Sequence, residues 1–328
     1  MNNRRRLVIA LGASALAAPF PSFAQQPGKV WRIGVLETTS MALNAANFNM
    51  FRKGLLELGY AEGKNLVIDY RSAEGSVARF PELAAELVRL KVDLIVTRGT
   101  PALLAASNAA GTIPIVMAAI GEVPGQGIVA SLAHPGGNVT GLSAFVTELT
   151  GKRLEILRKL IGKATRVAYL VDMSNPISLG QWKEAQAAAK SLRIQARLLD
   201  VRKPEDLGHA FDDAIKQRAN GLVVGIDSLM QTNRQTIAEL ATKHRLPAIY
   251  ASREFVDGGG LISYGVSYPD LYYRAAGHVD KIFKGKKPGD IPVEQPTKYE
   301  LVINGRAAKA LGLKIPQSLL ISADKVIE

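Results

Sequence analysis

The 328-residue chain contains no cysteine, only four histidines and only two tryptophans. Without cysteine no disulfide can form, so the fold has to be held together by its core. None of the histidines occurs in a close metal-binding spacing, and the chain contains neither a Gly-x-Ser-x-Gly motif nor a Walker A sequence. Because these catalytic signatures are missing, we expect no enzymatic activity, no metal site and no cofactor.

A basic and then apolar segment opens the sequence. Arginines at positions 4–6 precede the apolar run 7–18, and Ser22 and Ala24 occupy the two positions that a signal peptidase reads. The run is shorter than the roughly 20 apolar residues that cross a bilayer. The pattern predicts a signal peptide over residues 1–24, cleaved after Ala24, and therefore a periplasmic protein. A retained membrane-anchoring helix is the alternative.

Basic residues outnumber acidic ones, 41 against 29, which gives a net charge of +12. Loss of the three leader arginines would leave 38 basic and 29 acidic residues, a net charge of +9. The excess is spread along the chain without a block of five like charges, so we expect no nucleic-acid partner. An anionic membrane or an acidic docking partner accounts for it more simply.

Short β-rich runs alternate with longer helical patterns along the rest of the chain, as expected for parallel sheets covered on both faces. The predicted strands are 30–36, 66–70, 93–96, 113–117, 139–143, 166–171, 195–201, 222–226, 248–251 and 261–265. The predicted helices are 44–58, 81–90, 101–110, 179–192, 204–217, 232–244 and 270–283. The sequence therefore predicts the α/β class.

The two halves of the chain resemble each other. Residues 93–96, a helix and 113–116 have a counterpart in 221–224, a helix and 246–249. We predict two doubly wound lobes with a ligand cleft between them, joined by a three-segment hinge near 139–143, 261–266 and 296–303. The N-terminal lobe is assigned residues 28–141 plus 264–298, and the C-terminal lobe residues 142–263 plus 299–328.

Polar residues follow the carboxyl ends of the predicted strands, where open α/β sheets bind ligands. Hydroxyl groups and helix N-termini in the first half suit an anionic group, such as a carboxylate. The residues expected to hold that group are Thr38, Thr39, Gly99 and Thr100, with Gly121 beside them. Each of the polar residues could instead simply cap a helix.

Carboxylates at the same edge could pair a cationic group of the ligand, and the candidates are Glu122, Asp227 and Glu254. Ser174, Asn175 and Ser228 could supply further hydrogen bonds from the second half. Tyr250 or Tyr264 could stack on an apolar part of the ligand, although either fits a core position as well.

Six segments of the sequence are similar to the bacterial ABC-transporter substrate-binding family that includes tryptophan/tyrosine-type binding proteins. They are TRGTPA at 97–102, IPIV at 113–116, GIVASLAHPGGNVTG at 127–141, LPAIY at 246–250, GGLISYG at 259–265 and EQPTKYELVIN at 294–304. The resemblance implies a type I periplasmic binding fold and delivery of a solute to a membrane permease with its ATPase. The chain departs from the family's Gly-Asp-Pro-Val pattern at Gly121-Glu122-Val123-Pro124, which alters one wall of the expected cleft.

We therefore expect an exported, monomeric, non-enzymatic solute-binding protein whose partners are a small ligand, an ABC permease and its ATPase. The expected ligand is an amino acid or another small carboxylate, and aromatic ones are included. An exported sensor that signals through a receptor is one alternative. An exported hydrolase with paired carboxylates is another, although the sequence lacks a nucleophile elbow and clustered histidines. The Gly-x-Gly-x-x-Ala match at 125–130 predicts a glycine-rich loop better than a dinucleotide site, because it follows the fourth strand instead of the first.

Overall fold

Two largely parallel β-sheets organise the chain, and the computed structural model describes residues 29–121, 127–144, 147 and 149–328. The first sheet consists of β1 (Trp31–Glu37), β2 (Leu66–Ser72), β3 (Leu94–Arg98), β4 (Ile115–Ile120) and β5 (Val139–Ser143). Its strand order is β2-β1-β3-β4-β5, and all pairings are parallel. The helices between these strands are α1 (Ala45–Glu57), α2 (Phe80–Arg89) and α3 (Thr100–Ala109).

The second sheet has seven strands in the order β12-β11-β10-β9-β8-β6-β7, with only β11 antiparallel to its neighbour β10. Its strands are β6 (Arg166–Val171), β7 (Gln195–Asp200), β8 (Gly221–Val224), β9 (Ala248–Tyr250), β10 (Ile262–Val266), β11 (Tyr299–Asn304) and β12 (Lys325–Ile327). The remaining helices are α4 (Leu149–Ile161), α5 (Ser178–Ser191), α6 (Leu207–Lys216), α7 (Ser228–Thr232), α8 (Arg234–Lys243), α9 (Arg253–Asp257), α10 (Tyr268–Phe283), α11 (Gly305–Ala310) and α12 (Gln317–Ser322). Three short 3₁₀ turns occupy Val77–Arg79, Pro204–Asp206 and Pro288–Asp290.

The two sheets repeat one strand order, because β7-β6-β8-β9-β10 corresponds to β2-β1-β3-β4-β5. We call the units built on them the first and second lobe. Alternate residues of each strand enter different cores: Ile33 and Val35 pack with α1 and α10, whereas Leu36 packs with α2 and α3. Helices thus cover both faces, and the predicted α/β class with two doubly wound lobes is confirmed.

The chain passes between the lobes after β5, after β10 and before β11. Helix α10, which follows β10, packs on α1 of the first lobe. The backbone N–H of Ser267 donates to the carbonyl of Lys298 at 3.3 Å, so the second and third crossings run side by side. The predicted lobe boundary at residue 264 falls inside β10, which continues in the second sheet to Val266.

Some elements differ from the sequence prediction. Helix α4 was not predicted, and the predicted helix 232–244 begins only at Arg234, after the separate short helix α7. The segment 296–303 is a crossing followed by β11. The predicted signal peptide lies outside the described residues. In the part of the chain that the structure describes, no helix has the length and apolar character needed to cross a membrane.

Only glycine fits at position 141 in β5, because of both its backbone conformation and its close neighbours. Its φ is +128°, and a Cβ atom there would overlap the carbonyl oxygen of Met117 on the neighbouring strand β4. We expect Gly141→Ala to lower the free energy of unfolding by about 2–4 kcal/mol, because backbone strain and overpacking add. Urea denaturation measures this loss. Gly137→Ala, where nothing lies within 4 Å of the added methyl group, is the control and should stay near wild type.

Candidate functional site

A cavity of about 40 Å³ lies between the lobes at the carboxyl edges of both sheets. The first lobe contributes the loop after β1, the junction of β3 with α3 and the end of β4, and the second lobe contributes the loops after β6 and β8. The lining residues are Thr38, Arg98, Gly99, Pro101, Ala119, Gly121, Asn175, Ile177, Ile226, Asp227, Ser228, Gln231 and Tyr268. Of these described lining residues, Arg98 and Asp227 carry ionisable groups of opposite sign, one from each lobe.

Arg98 ends β3 and joins the two lobes. Its Nη2 donates to Oε2 of Glu254, in α9 of the second lobe, at 3.0 Å, and its Nη1 donates to Oδ1 of Asn44 at 3.0 Å. The guanidinium carbon also lies 4.4 Å from the ring centre of Tyr268. Burial alone would lower the pKa of Arg98, but Glu254 and the other surrounding acidic groups raise it well above its usual value. Arg98 is therefore a permanent buried cation.

Glu254 is the buried anion that balances Arg98. Its carboxylate also accepts hydrogen bonds from the side-chain amides of Asn47 in the first lobe and Gln231 in the second. The hydroxyl of Ser252 donates to Oε2 at 3.3 Å. Burial acts to raise the pKa of Glu254, but the charge of Arg98 and these hydrogen bonds outweigh it and lower the pKa. Glu254 is thus committed to the contact between the lobes.

A second carboxylate, Glu37 at the end of β1, positions Asn44 beside Arg98. Glu37 accepts hydrogen bonds from the hydroxyl of Tyr272 and, at 3.0 Å, from Nδ2 of Asn44. Burial is the main reason that its pKa is raised, although nearby Arg98 acts in the opposite direction. Asn44 therefore presents its carbonyl oxygen to Arg98 because its amide nitrogen is held by Glu37.

Asp227 follows β8 and caps the short helix α7. One oxygen accepts from the backbone N–H of Met230 at 2.8 Å and the other from that of Asp172 at 3.0 Å. The residue is only 6% exposed. Burial raises the pKa of Asp227 to about 7, although the backbone hydrogen bonds act to lower it. Asp227 can therefore change its charge near neutral pH.

The N-terminus of the ten-residue helix α3 also meets the cavity. Gly99, with φ +85°, precedes the helix, and a Cβ atom at this position would lie 3.0 Å from Thr38 Cγ2 and 4.0 Å from Ser228 Oγ of the other lobe. Thr100 begins the helix, and its buried hydroxyl has no hydrogen-bond partner among the described residues, as is also true of Thr39. First-turn N–H groups and the helix dipole favour an anion at this point.

Residues 32–327 match the model of a family described as ABC transporter substrate binding protein. The chain belongs to this family. A tyrosine-binding protein of Clostridioides difficile (strain R20291) is 29% identical over 276 residues, which cover 84% of this chain and 78% of the relative.

Solved structures of relatives agree with this assignment. A conserved domain protein from Vibrio cholerae is 27% identical with a TM-score of 0.84, covering 91% of this chain and all of its own. An ABC domain from Streptococcus pneumoniae in complex with L-Trp is 27% identical with a TM-score of 0.83, covering 90% and 99%. The ligand-free, open structure of a substrate-binding protein with adhesive properties from Clostridium difficile is 26% identical and covers 91% and 99%, but its TM-score is only 0.66. At nearly equal identity, this chain therefore resembles the L-Trp complex more closely than the open form.

The structure brings together part of the predicted site of this family member. Six predicted residues line the cavity: Thr38, Gly99, Gly121, Asn175, Asp227 and Ser228. Thr39 and Thr100 are buried beside it. Ser174 does not line the cavity, because its backbone N–H and hydroxyl both donate to Oδ1 of Asp172. Glu122 lies outside the described residues.

The predicted aromatic and acidic contacts differ from the structure. Tyr250 is a core residue that stacks on Phe255 at 4.9 Å, and Tyr264 packs against Tyr299 on the second sheet. Neither lines the cavity, whereas Tyr268 does. Glu254 binds Arg98 instead of facing the cavity, because the closed lobes bring a buried cation within hydrogen-bond distance.

Arg98, Gln231 and Tyr268 are the polar lining residues that the sequence prediction missed. Arg98 precedes Gly99 at the end of a strand, so its position at the ligand edge could have indicated it. Tyr268 and Gln231 gave no comparable signal, because one begins α10 after a crossing and the other lies inside α7.

Glu254→Gln should destabilise the protein, because it removes the hydrogen-bonded counter-charge of buried Arg98. We expect the free energy of unfolding, measured by urea denaturation, to fall by about 1–3 kcal/mol, which is less than for a pair buried at fixed geometry because separation of the lobes lets water solvate Arg98. The control is Asp257→Asn on the same helix, which breaks an exposed ion pair with Arg253 and should cost at most about 0.5 kcal/mol. Equal losses in the two variants would show that the pair between the lobes has no special weight.

Proposed function

We propose that this chain is the periplasmic solute-binding component of an ABC importer and that its cleft binds an α-amino acid. The observation that carries the proposal is the cavity with Arg98 on one lobe and Asp227 on the other. A zwitterion offers a carboxylate and an ammonium group to such a pair of charges, and binding both would favour the closed arrangement of the lobes.

The ligand's carboxylate is assigned to the first lobe. The N-terminus of α3 offers N–H groups and a positive dipole end, and Arg98 adds a full positive charge within the same lining. The unpartnered hydroxyl of Thr100 lies in the first turn of the same helix. Because Arg98 is also paired with Glu254, the helix end and the hydroxyl groups share with it the binding of the anion.

The ligand's ammonium group is assigned to Asp227, with Asn175 and Ser228 beside it on the same lobe. Each carboxylate oxygen of Asp227 accepts one backbone hydrogen bond and retains capacity for a second. An ammonium group would replace the lost hydration of this buried carboxylate and stabilise its ionised form.

The ligand's side chain is assigned to the apolar part of the lining, formed by Pro101, Ile177, Ile226 and the ring of Tyr268. A cavity of about 40 Å³ holds only a few water molecules, so an aromatic amino acid needs the lobes to move apart before it enters. We propose tyrosine or tryptophan as the first ligands to test, because the relatives are described as binding tyrosine and L-Trp.

The cellular assignment has separate support. The signal-peptide pattern of residues 1–24 supports export, and the family description supports partnership with a permease and its ATPase. In this account the protein binds its ligand in the periplasm, closes around it and releases it at the permease.

Calorimetry with matched ligands tests the amino-acid assignment. L-Tyrosine or L-tryptophan should bind. Tyramine, which is tyrosine without the carboxylate, and 3-(4-hydroxyphenyl)propionate, which is tyrosine without the ammonium group, should each lose at least about 100-fold in affinity relative to tyrosine. Equal binding of the amino acid and either analogue would contradict recognition of both charges. If no amino acid binds, the proposed ligand class is wrong, and the assignment of the fold is unaffected.

The affinity for the amino acid should depend on pH through Asp227. Burial raises the pKa of Asp227 to about 7, so protons compete with the ammonium group below pH 7. We expect the affinity to rise about tenfold from pH 6 to pH 8 and then to level off. In Asp227→Asn the affinity should be low and independent of pH over this range. Asp213→Asn, an exposed control far from the cleft, should retain the wild-type profile.

A further inference from the structure

The edge of the second lobe that lies away from the cleft is strongly basic. Four connections return from the longer helices α4, α5, α6 and α8 to the following strands. Taken from the last four helical residues to the first residue of the strand, they are 158–166, 188–195, 213–221 and 240–248. They contain ten basic residues, Arg158, Lys159, Lys163, Arg166, Lys190, Arg193, Lys216, Arg218, Lys243 and Arg245, against one acidic residue, Asp213. We call this surface the basic face.

The four connections form one continuous surface. They precede β6, β7, β8 and β9, which are neighbours in the sheet. Asn220 donates to the carbonyl of Lys163 at 2.7 Å, Arg158 to that of Leu192 at 3.1 Å, and Arg166 to that of Arg218 at 2.8 Å. Neighbouring strands lie about 4.8 Å apart, so the face is about 15 Å wide. It ends beside β10, where the short connection after α9 carries Asp257.

Helix dipoles do not explain this charge. Cations are generally favoured at helix C-termini, and this preference acts equally in both lobes. The corresponding edge of the first lobe is formed by the connections 54–66, 86–94 and 106–115 and by the end of α10 at 280–290, where Phe283 stacks on Trp31 at the start of β1. These segments contain seven basic residues and six acidic ones. The second lobe therefore concentrates positive charge well beyond what helix ends require, despite the mutual repulsion of like charges.

The composition of the basic face favours a lipid headgroup layer over a protein or a nucleic acid. Protein interfaces usually have an apolar centre, but Ile215 is the one large exposed hydrophobic residue described in these connections. The face contains no phenylalanine, tyrosine or tryptophan on which bases could stack. A groove between two of its connections is lined by Arg158, Lys163, Thr165 and Arg193, which suit a phosphate group.

We propose that the basic face of the second lobe binds the headgroup layer of an anionic bilayer. Each basic residue close to such a surface contributes about fivefold in affinity, and the attraction declines within a Debye length. Because this face is at the opposite edge of the lobe from the cleft, membrane contact leaves the ligand site open. This proposal is independent of the identity of the ligand.

Vesicle cosedimentation tests the proposal with the full chain and a variant carrying Lys163→Gln, Arg193→Gln, Arg218→Gln and Arg245→Gln. These side chains have no ion pair among the described residues. The matched control carries Lys64→Gln, Lys91→Gln, Lys286→Gln and Lys287→Gln, which remove the same charge from exposed positions elsewhere. All three proteins keep the same N-terminal residues, and circular dichroism checks that each is folded.

We expect the wild type to bind vesicles containing phosphatidylglycerol at low salt and to lose this binding at high salt or with phosphatidylcholine alone. The variant of the basic face, which lacks four such residues, should lose roughly 600-fold in affinity, and the control less than about threefold. Equal losses in both variants, or no binding to anionic vesicles, would overturn the proposal. Selective binding to polyglutamate or to DNA, with no binding to vesicles, would also overturn it and assign the face to an acidic macromolecule.

Discussion

The buried ion pair between Arg98 and Glu254 is the interaction on which the arrangement of the two lobes depends. Nη2 of Arg98 lies 3.0 Å from Oε2 of Glu254, and the two residues come from different lobes. Two residues of the first lobe complete the contact, because Asn44 accepts a hydrogen bond from Arg98 and Asn47 donates one to Glu254. In such a location, desolvation of the two charges opposes their attraction, so the pair is favourable only with nearly complete hydrogen bonding. The ion pair therefore forms only in one relative position of the lobes. The same position brings Gly99 beside Ser228 and forms the cavity.

This dependence links closure to ligand binding. When the lobes separate, water can solvate Arg98 and Glu254 individually, so opening costs less than breaking a buried pair at fixed geometry would suggest. A ligand that bridges the lobes adds its own contacts to those of the ion pair. It need supply only part of the free energy of closure, because the chain already contributes a contact between the lobes.

The fold could be predicted from the sequence because its signals are local and repeated. Alternating strands and helices indicate parallel sheets, and the similarity of 93–116 to 221–249 indicates two similar lobes. Helix α4 is absent from the prediction because it follows a crossing and has no repeated partner in the part of the first half that the structure describes, from residue 29 onward. The short helix α7 is absent from the prediction, because its five residues are too few to show a helical period. The predicted helix 232–244 corresponds to α8 alone and starts two residues before it.

The site could be predicted only in part, for a different reason. Strand ends locate the ligand edge, so Thr38, Gly99, Asn175, Asp227 and Ser228 were accessible to sequence analysis. Some polar groups at this edge contact other residues of the protein and are not free to bind a ligand. These contacts join segments that are distant in the sequence, so no local sequence pattern predicts them. The sequence predicts Glu254 as a ligand contact, but in the fold Glu254 is paired with Arg98 from a distant segment. It also predicts Tyr250 as a stacking partner of the ligand, but Tyr250 is surrounded by core residues.

One geometric rule connects the cleft with the opposite edge of the second lobe. In both sheets the helices run against the strands, so helix N-termini gather at the cleft and helix C-termini at the far edge. The cleft edge therefore favours an anionic group, such as a ligand carboxylate, while the far edge favours cations. At the far edge of the first lobe, basic and acidic residues are nearly balanced. The far edge of the second lobe has ten basic residues against one acidic residue, which is more positive charge than helix C-termini require. The fold does not require this excess of positive charge, and the excess lies at the edge of the lobe opposite the cleft. Such an excess is expected of a surface that binds an anionic partner separately from the ligand.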